Sequence, residues 1–130
     1  MKYLFPVYGA TNGTATSGTV PLSSHFTVSS VNYISIPQGI KAKIWSVRIS
    51  GAAVNFQIQF TQNVNTSTPT WVTVENISLA SAGEVAIDKS RKPTVLEGKN
   101  GNEAIQIVWA QSTAAVSYII LDIEFTDEDD

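Results

Sequence analysis

The chain has 130 residues, the length of one ordinary domain, and at this size it buries roughly two-thirds of its unfolded surface, enough for one core. Its 13 Val and 13 Ile stand against 5 Leu and 1 Met, beside 41 uncharged polar Ser, Thr, Asn and Gln; β-branched side chains lose rotamer freedom in a helix and pack well on a pleated surface, so a helical protein is excluded. The absence of Cys excludes a disulfide scaffold, 43% hydrophobic and 15% charged residues exclude a disordered chain, and no apolar run reaches the roughly 20 residues of a membrane span.

The first eight residues, Met1 to Tyr8, are aromatic and interrupted by Pro6, too short for a secretory signal. Residues 9 to 19 hold three glycines and no large side chain, the composition of a flexible connector. Two readings of the octet stay open: the first strand of its own domain, or an arm whose Tyr3, Phe5 and Tyr8 anchor on another subunit. The domain plan expected is an N-terminal aromatic segment with its connector over 1 to 19, a sandwich over 20 to 126, and an acidic tail over 127 to 130.

From residue 22 onward, strand-length runs alternate with turn residues, the spacing of a sandwich or barrel. Residues 26 to 36 supply one or two strands. Between Ile40 and Ile49 the apolar positions switch from even to odd, which predicts a bulge or bend. Trp45, Val47 and Ile49 share the odd parity, which places Trp45 in the core. Gly51 then leads into Val54 to Phe60, where apolar residues alternate with Asn55, Gln57 and Gln59 without a fault, so residues 40 to 60 are expected to form a hairpin. Shorter runs follow at Trp71 to Glu75, Glu84 to Ile87 and Thr94 to Leu96. Glu103 to Ala110 carries Trp109 on the face of Ile107, again a core position. Val116 to Phe125 is apolar on both parities, which marks it as the central strand with a bend or cover on both sides. The total is about eight strands, an all-β, single-domain antiparallel β-sandwich.

Charge separates the end of the chain from its body. Residues 1 to 121 carry +3, whereas residues 122 to 130 hold six acids and no base. The closing run Asp127, Glu128, Asp129 and Asp130 has nothing apolar to bury and suits a solvated terminus or docking on a basic neighbour. Eight scattered basic residues lack the clustered footprint of a nucleic-acid binder.

Catalytic chemistry finds little material. The one histidine, His25, has no partner that sequence can assign, and without Cys no zinc or iron ligand set exists. The body's five acids show no pairing suited to glycosidase work, and Asp88 stands among Lys89, Arg91 and Lys92 rather than in a calcium loop. The chain is therefore read as no enzyme and as needing no cofactor. Trp71 follows a polar loop with Asn63 and Asn65 nearby, which makes it the candidate for stacking on a sugar ring.

The order Ile36-Pro37-Gln38-Gly39, Ile49-Ser50-Gly51, Phe60-Thr61, a Trp71 strand, Leu96-Glu97-Gly98, Ile105-Gln106-Ile107-Val108-Trp109 and Leu121-Asp122-Ile123-Glu124-Phe125 resembles small single jelly-roll structural proteins of bacteriophages and archaeal viruses, such as head decoration and minor capsid proteins. The likeness covers residues 30 to 126. It implies a jelly-roll-like module without catalytic activity, a trimer or other symmetric homo-oligomer, made in the host cytoplasm and clamped on the capsid proteins of a virion. Candidate assembly contacts are Tyr3, Phe5, Tyr8, Asp127, Glu128, Asp129 and Asp130. No nucleic-acid or membrane partner is expected. A carbohydrate-binding β-sandwich module with Trp71 at its centre is the alternative.

Overall fold

β-branched runs become strands wherever they can alternate a buried and a wet side chain. The computed structural model describes residues 2–24, 29–89 and 91–127, and residues 2–5 by their backbone alone. Eleven strands and no helix occur among the described residues: β1 (Lys2–Ala10), β2 (Ser17–Thr19), β3 (Leu22–Ser24), β4 (Ile34–Ile36), β5 (Ile40–Gly51), β6 (Val54–Thr61), β7 (Val72–Leu79), β8 (Gly83–Asp88), β9 (Thr94–Glu97), β10 (Glu103–Ala110) and β11 (Ser117–Asp127). They form two antiparallel sheets. The first has the order β3-β1-β11-β5, with β8 and β9 sharing the far edge of β5; in the second, β2 and β4 share one edge of β10, followed by β6 and β7.

The core lies between the sheets. Ala42, Ile44, Val47 and Ile49 of β5 and Ile119, Leu121 and Ile123 of β11 supply one wall; Phe56 and Ile58 of β6 with Ile105, Ile107 and Trp109 of β10 supply the other. Removing each large side chain from water contributes about 1.5–3 kcal/mol, so the two walls hold the fold. β11 is the central strand expected, paired along its length with β1 on one side and β5 on the other.

Several expectations need correction. The two runs over residues 40 to 60 do not form a hairpin, because β5 pairs in the first sheet and β6 in the second. Gly51 turns the chain from one sheet to the other at φ +115, and a Cβ there would lie 2.9 Å from the Ser117 Cα, a crowded left-handed position that only glycine fits without strain. The parity switch in β5 is the bulge predicted, but it falls one residue later than the apolar pattern indicates. Ser46 pairs with Asp122 and Ile44 with Ile123, which leaves Trp45 as the extra residue, turned away from the core and half-buried. β11 does not bend at Tyr118 to Ile120; its odd residues point inward through Ile123, and Tyr118 and Ile120 are simply exposed.

The boundary expected near residue 19 is absent. β1 pairs over nine positions with β11 and its end pairs with β3, so of the two readings of the octet the backbone adopts the strand of its own domain. A central strand with an open edge would leave a row of N–H and C=O groups unpaired, and the first segment supplies the partner. The connector, mostly exposed, is anchored at a few points. A Cβ on Gly9 would run into Val20 Cγ1, and one on Gly18 would meet the Trp109 ring at 2.7 Å, so these glycines serve close approach. Thr11 is buried, its hydroxyl donating to the Ala115 carbonyl at 2.8 Å and accepting from the Ser117 N–H at 2.9 Å. Composition missed β2 and β3 for the same reason: Ser, Gly and Thr form short edge strands held by their neighbours rather than by propensity.

Candidate functional site

Alternation fills the core with one set of side chains and leaves two outer faces, and these carry different chemistry. On the first sheet, cross-strand rows run Tyr8, Ile120, Arg48 and Ala86, then Pro6, Asp122, Ser46 and Asp88, then Ala10, Tyr118, Ser50 and Glu84. Tyr8, Tyr118 and Ile120 are 46%, 53% and 42% exposed, a cluster of apolar surface at the middle of the sheet. Beside it opens a groove of about 620 Å³ lined by Trp45, Ser46, Arg48, Asp88, Ile120 and Asp122, with Ala86 below. The Trp45 indole N–H donates to Glu124 Oε1 at 3.3 Å, and Ser46 Oγ donates to Asp122 Oδ2 at 2.7 Å. Arg48 reaches Glu84 at 4.0 Å at the exposed rim.

The outer face of the second sheet has no charge at its paired outward positions. Asn55, Gln57 and Gln59 of β6, Gln106 and Val108 of β10, and Thr73, Asn76 and Ser78 of β7 occupy it. Gln106 Nε2 donates to Gln59 Oε1 at 2.7 Å, Gln59 Nε2 to Thr73 Oγ1 at 3.3 Å, and Asn55 Nδ2 to Asn76 Oδ1 at 2.6 Å, so the amides form a ladder across three strands. The two acids of this sheet lie elsewhere. Glu75 pairs with Lys89 at 3.1 Å, the two side chains 17% and 18% exposed, and ties β7 to the end of β8. Glu103 is 1% exposed and accepts from the Asn100 N–H at 3.3 Å. Burial pushes its pKa upward, but the backbone N–H groups of Lys99, Asn100, Glu103 and Gly101 outweigh burial and hold the carboxyl below the ordinary glutamate range.

Trp71 sits at the end of this second face. It is half-buried and packs against Tyr33, ring centroids 6.5 Å apart and tilted by 48°. The register extended by one residue places Trp71 opposite Thr61 and Tyr33 opposite Gln106, beside outward Thr61 and Ala104, which are 2% and 0% exposed. The nearby amides are taken up internally. Asn63 Oδ1 accepts from Thr61 Oγ1 at 2.6 Å and from the Thr70 N–H at 2.9 Å, and Asn65 donates to Asn102. Trp71 therefore has aromatic company, and each asparagine beside it already makes a hydrogen bond within the chain.

Of the assembly candidates, Tyr8 stands on the first sheet's outer face, and Asp127 closes β11 with an interaction inside the chain. The side chains of Tyr3 and Phe5, residues Glu128, Asp129 and Asp130, and His25 lie outside the described residues. Among the described residues no group of three His, Cys, Asp or Glu could hold a metal ion. Sequence reasoning missed the Trp45 groove. Its signal was the parity switch in β5, since a bulge turns one otherwise inward side chain out to solvent.

No protein-family model and no curated protein matches the chain. Among solved structures it is similar to the N-terminal endo-1,4-β-D-xylanase 10B CBM22-1–GH10 modules of Clostridium thermocellum, solved with xylohexaose, at 14% identity over 97% of this chain and 24% of that one, TM-score 0.45. It is also similar to infectious bursal disease virus Gx strain, at 9% identity over 96% and 37% of the two chains, TM-score 0.44. The capsid asymmetric unit of cyanophage Pam1 matches at 16% identity over 95% and 83%, TM-score 0.42. The chain thus spans about a quarter of the first of these and just over a third of the second. Similarity at this level carries no functional inference; the sandwich is read from the strand pairing itself.

Proposed function

We propose that the chain is a non-enzymatic structural protein of a virion, associated with a capsid, that works through contacts between subunits. The observation that carries this reading is the uncharged outer face of the second sheet. Burying a charge costs several kcal/mol unless it is paired, whereas an amide or hydroxyl face needs only hydrogen bonds to replace water. The ladder from Gln106 through Gln59 to Thr73 also fixes these side chains before any contact, which lowers the entropy lost on association. The likeness to small jelly-roll virion proteins supplies the setting, and a closed homo-oligomer, a trimer, is the assembly it suggests. The backbone of residues 2 to 8 enters this version as a strand of its own sheet, paired with β11.

The mass of the full chain in solution tests the proposal. Sedimentation equilibrium at tens of micromolar should give a discrete oligomer, and Thr73→Lys with Asn76→Lys should reduce it to a monomer with unchanged circular dichroism. A strict monomer before any substitution, or an oligomer indifferent to both lysines, would overturn the reading.

A further inference from the structure

We infer that the groove on the outer face of the first sheet binds a neutral oligosaccharide, with Trp45 as its stacking residue. The inference does not rest on the assembly proposal, since it concerns the opposite face of the sandwich. Three features of the groove point to this ligand. Trp45 is turned outward by the bulge, and its indole N–H is held by Glu124 Oε1, so the ring is oriented before anything binds. Ile120 and Ala86 give the groove apolar patches. Ser46, Arg48, Asp88 and Asp122 then place donors and acceptors of both signs in one concavity.

That mixture selects among ligand chemistries. A carboxylate only accepts and a guanidinium only donates, whereas a sugar hydroxyl does both and can satisfy each in turn. The C–H face of a pyranose meets the aromatic and aliphatic walls while its hydroxyl edge meets the charged ones. A polyanion would set its charge against Asp88, Asp122 and Glu124. A purely apolar ligand would strip water from Arg48, Asp88 and Asp122 and offer no hydrogen bond in its place. The exposed rings of Tyr8 and Tyr118 continue the surface from β5 across β11 to β1, about 10 Å at ordinary strand spacing, which gives room for a chain of sugars rather than a single ring. The sequence places this role on Trp71, whose neighbours Asn63 and Asn65 bond to Thr61, Thr70 and Asn102.

The test is a titration of the full chain with neutral hexasaccharides of glucose, xylose and mannose, and with hexagalacturonate and hexalysine as charged counterparts, read by calorimetry and by the indole resonances in amide correlation spectra. At least one neutral hexasaccharide should bind and move the Trp45 indole signal. Trp45→Ala should weaken that binding at least about tenfold, and Trp71→Ala should leave it unchanged. Arg48→Ala, which alters a side chain 64% exposed and so spares the fold, should weaken it as well. No neutral hexasaccharide binding at millimolar concentration would overturn the inference. So would binding that survives both Trp45→Ala and Arg48→Ala, or tighter binding of either charged probe at the same resonances.

Discussion

The two outer faces of the sandwich grow from strands of similar length and the same alternation, yet one collects charge and aromatic rings while the other excludes charge. On the first sheet Arg48, Asp88, Asp122 and Glu124 surround a groove with Trp45 at its side; on the second, Gln57, Gln59 and Gln106 lie in a ladder with nothing ionised among them. Alternation dictates only the inward set, because one face of each strand must leave water. The outward set is free to carry function, and its content here divides a surface suited to a soluble ligand from one suited to another protein.

The largest expected effect tests whether the faces belong to one cooperative unit. Phe56 is fully buried, opposite Trp109 and Ile77 in the register, in a core cluster built from both sheets. Phe56→Ala should cost about 3–5 kcal/mol, seen as a drop in the urea midpoint with one transition by both tryptophan fluorescence and circular dichroism. Two separate transitions would mean that the sheets melt independently and that the faces are not built on one core.

How much of this was legible in the sequence follows from the same division. Inward residues announce themselves by period, so β6, β10 and the central place of β11 were readable from Val54 to Phe60, Ile105 to Trp109 and Ile119 to Ile123. Partner choice was not. Nothing in residues 40 to 60 distinguishes a hairpin from a turn between sheets, because Gly51 serves either and the decision lies with β11 and β10, far along the chain. Trp45 was misplaced since a bulge shifts parity by one residue and the apolar pattern fits two positions for it. The glycines at 9 and 18 read as flexibility, although the neighbours that demand them, Val20 and Trp109, become visible only in three dimensions.

A smaller effect sharpens the contrast in charge. Glu103 is the fully buried carboxylate of the second sheet, held by backbone N–H groups of the turn before β10 rather than by a cation. Glu103→Gln should cost about 1–3 kcal/mol at neutral pH, because those donors lose a charged acceptor. The folded pKa lies below the unfolded one, so the carboxylate's contribution is complete above the ordinary glutamate value of 4.5 and is lost as pH falls through it toward the folded value. Chemical denaturation between pH 7 and pH 3 should show the native chain losing more stability than the Glu103→Gln variant. Parallel curves would show that the turn does not favour the ionised form.

The smallest effect on stability separates the faces most directly. Tyr118 on the first sheet and Thr73 on the second are both exposed, so a lysine at either should change stability by no more than about 0.5 kcal/mol. Their consequences for association should differ. Thr73→Lys introduces a charge where the ladder has none, and subunits brought together there would have to desolvate it. Tyr118→Lys adds a charge to a face already rich in charge, where solvent or a small ligand takes it up. Sedimentation should therefore give a lower mass for Thr73→Lys and the parent mass for Tyr118→Lys. If Tyr118→Lys were the variant that dissociates, the assembly contact would belong to the stripe of Tyr8, Ile120 and Tyr118, and the groove beside it would be closed in the oligomer.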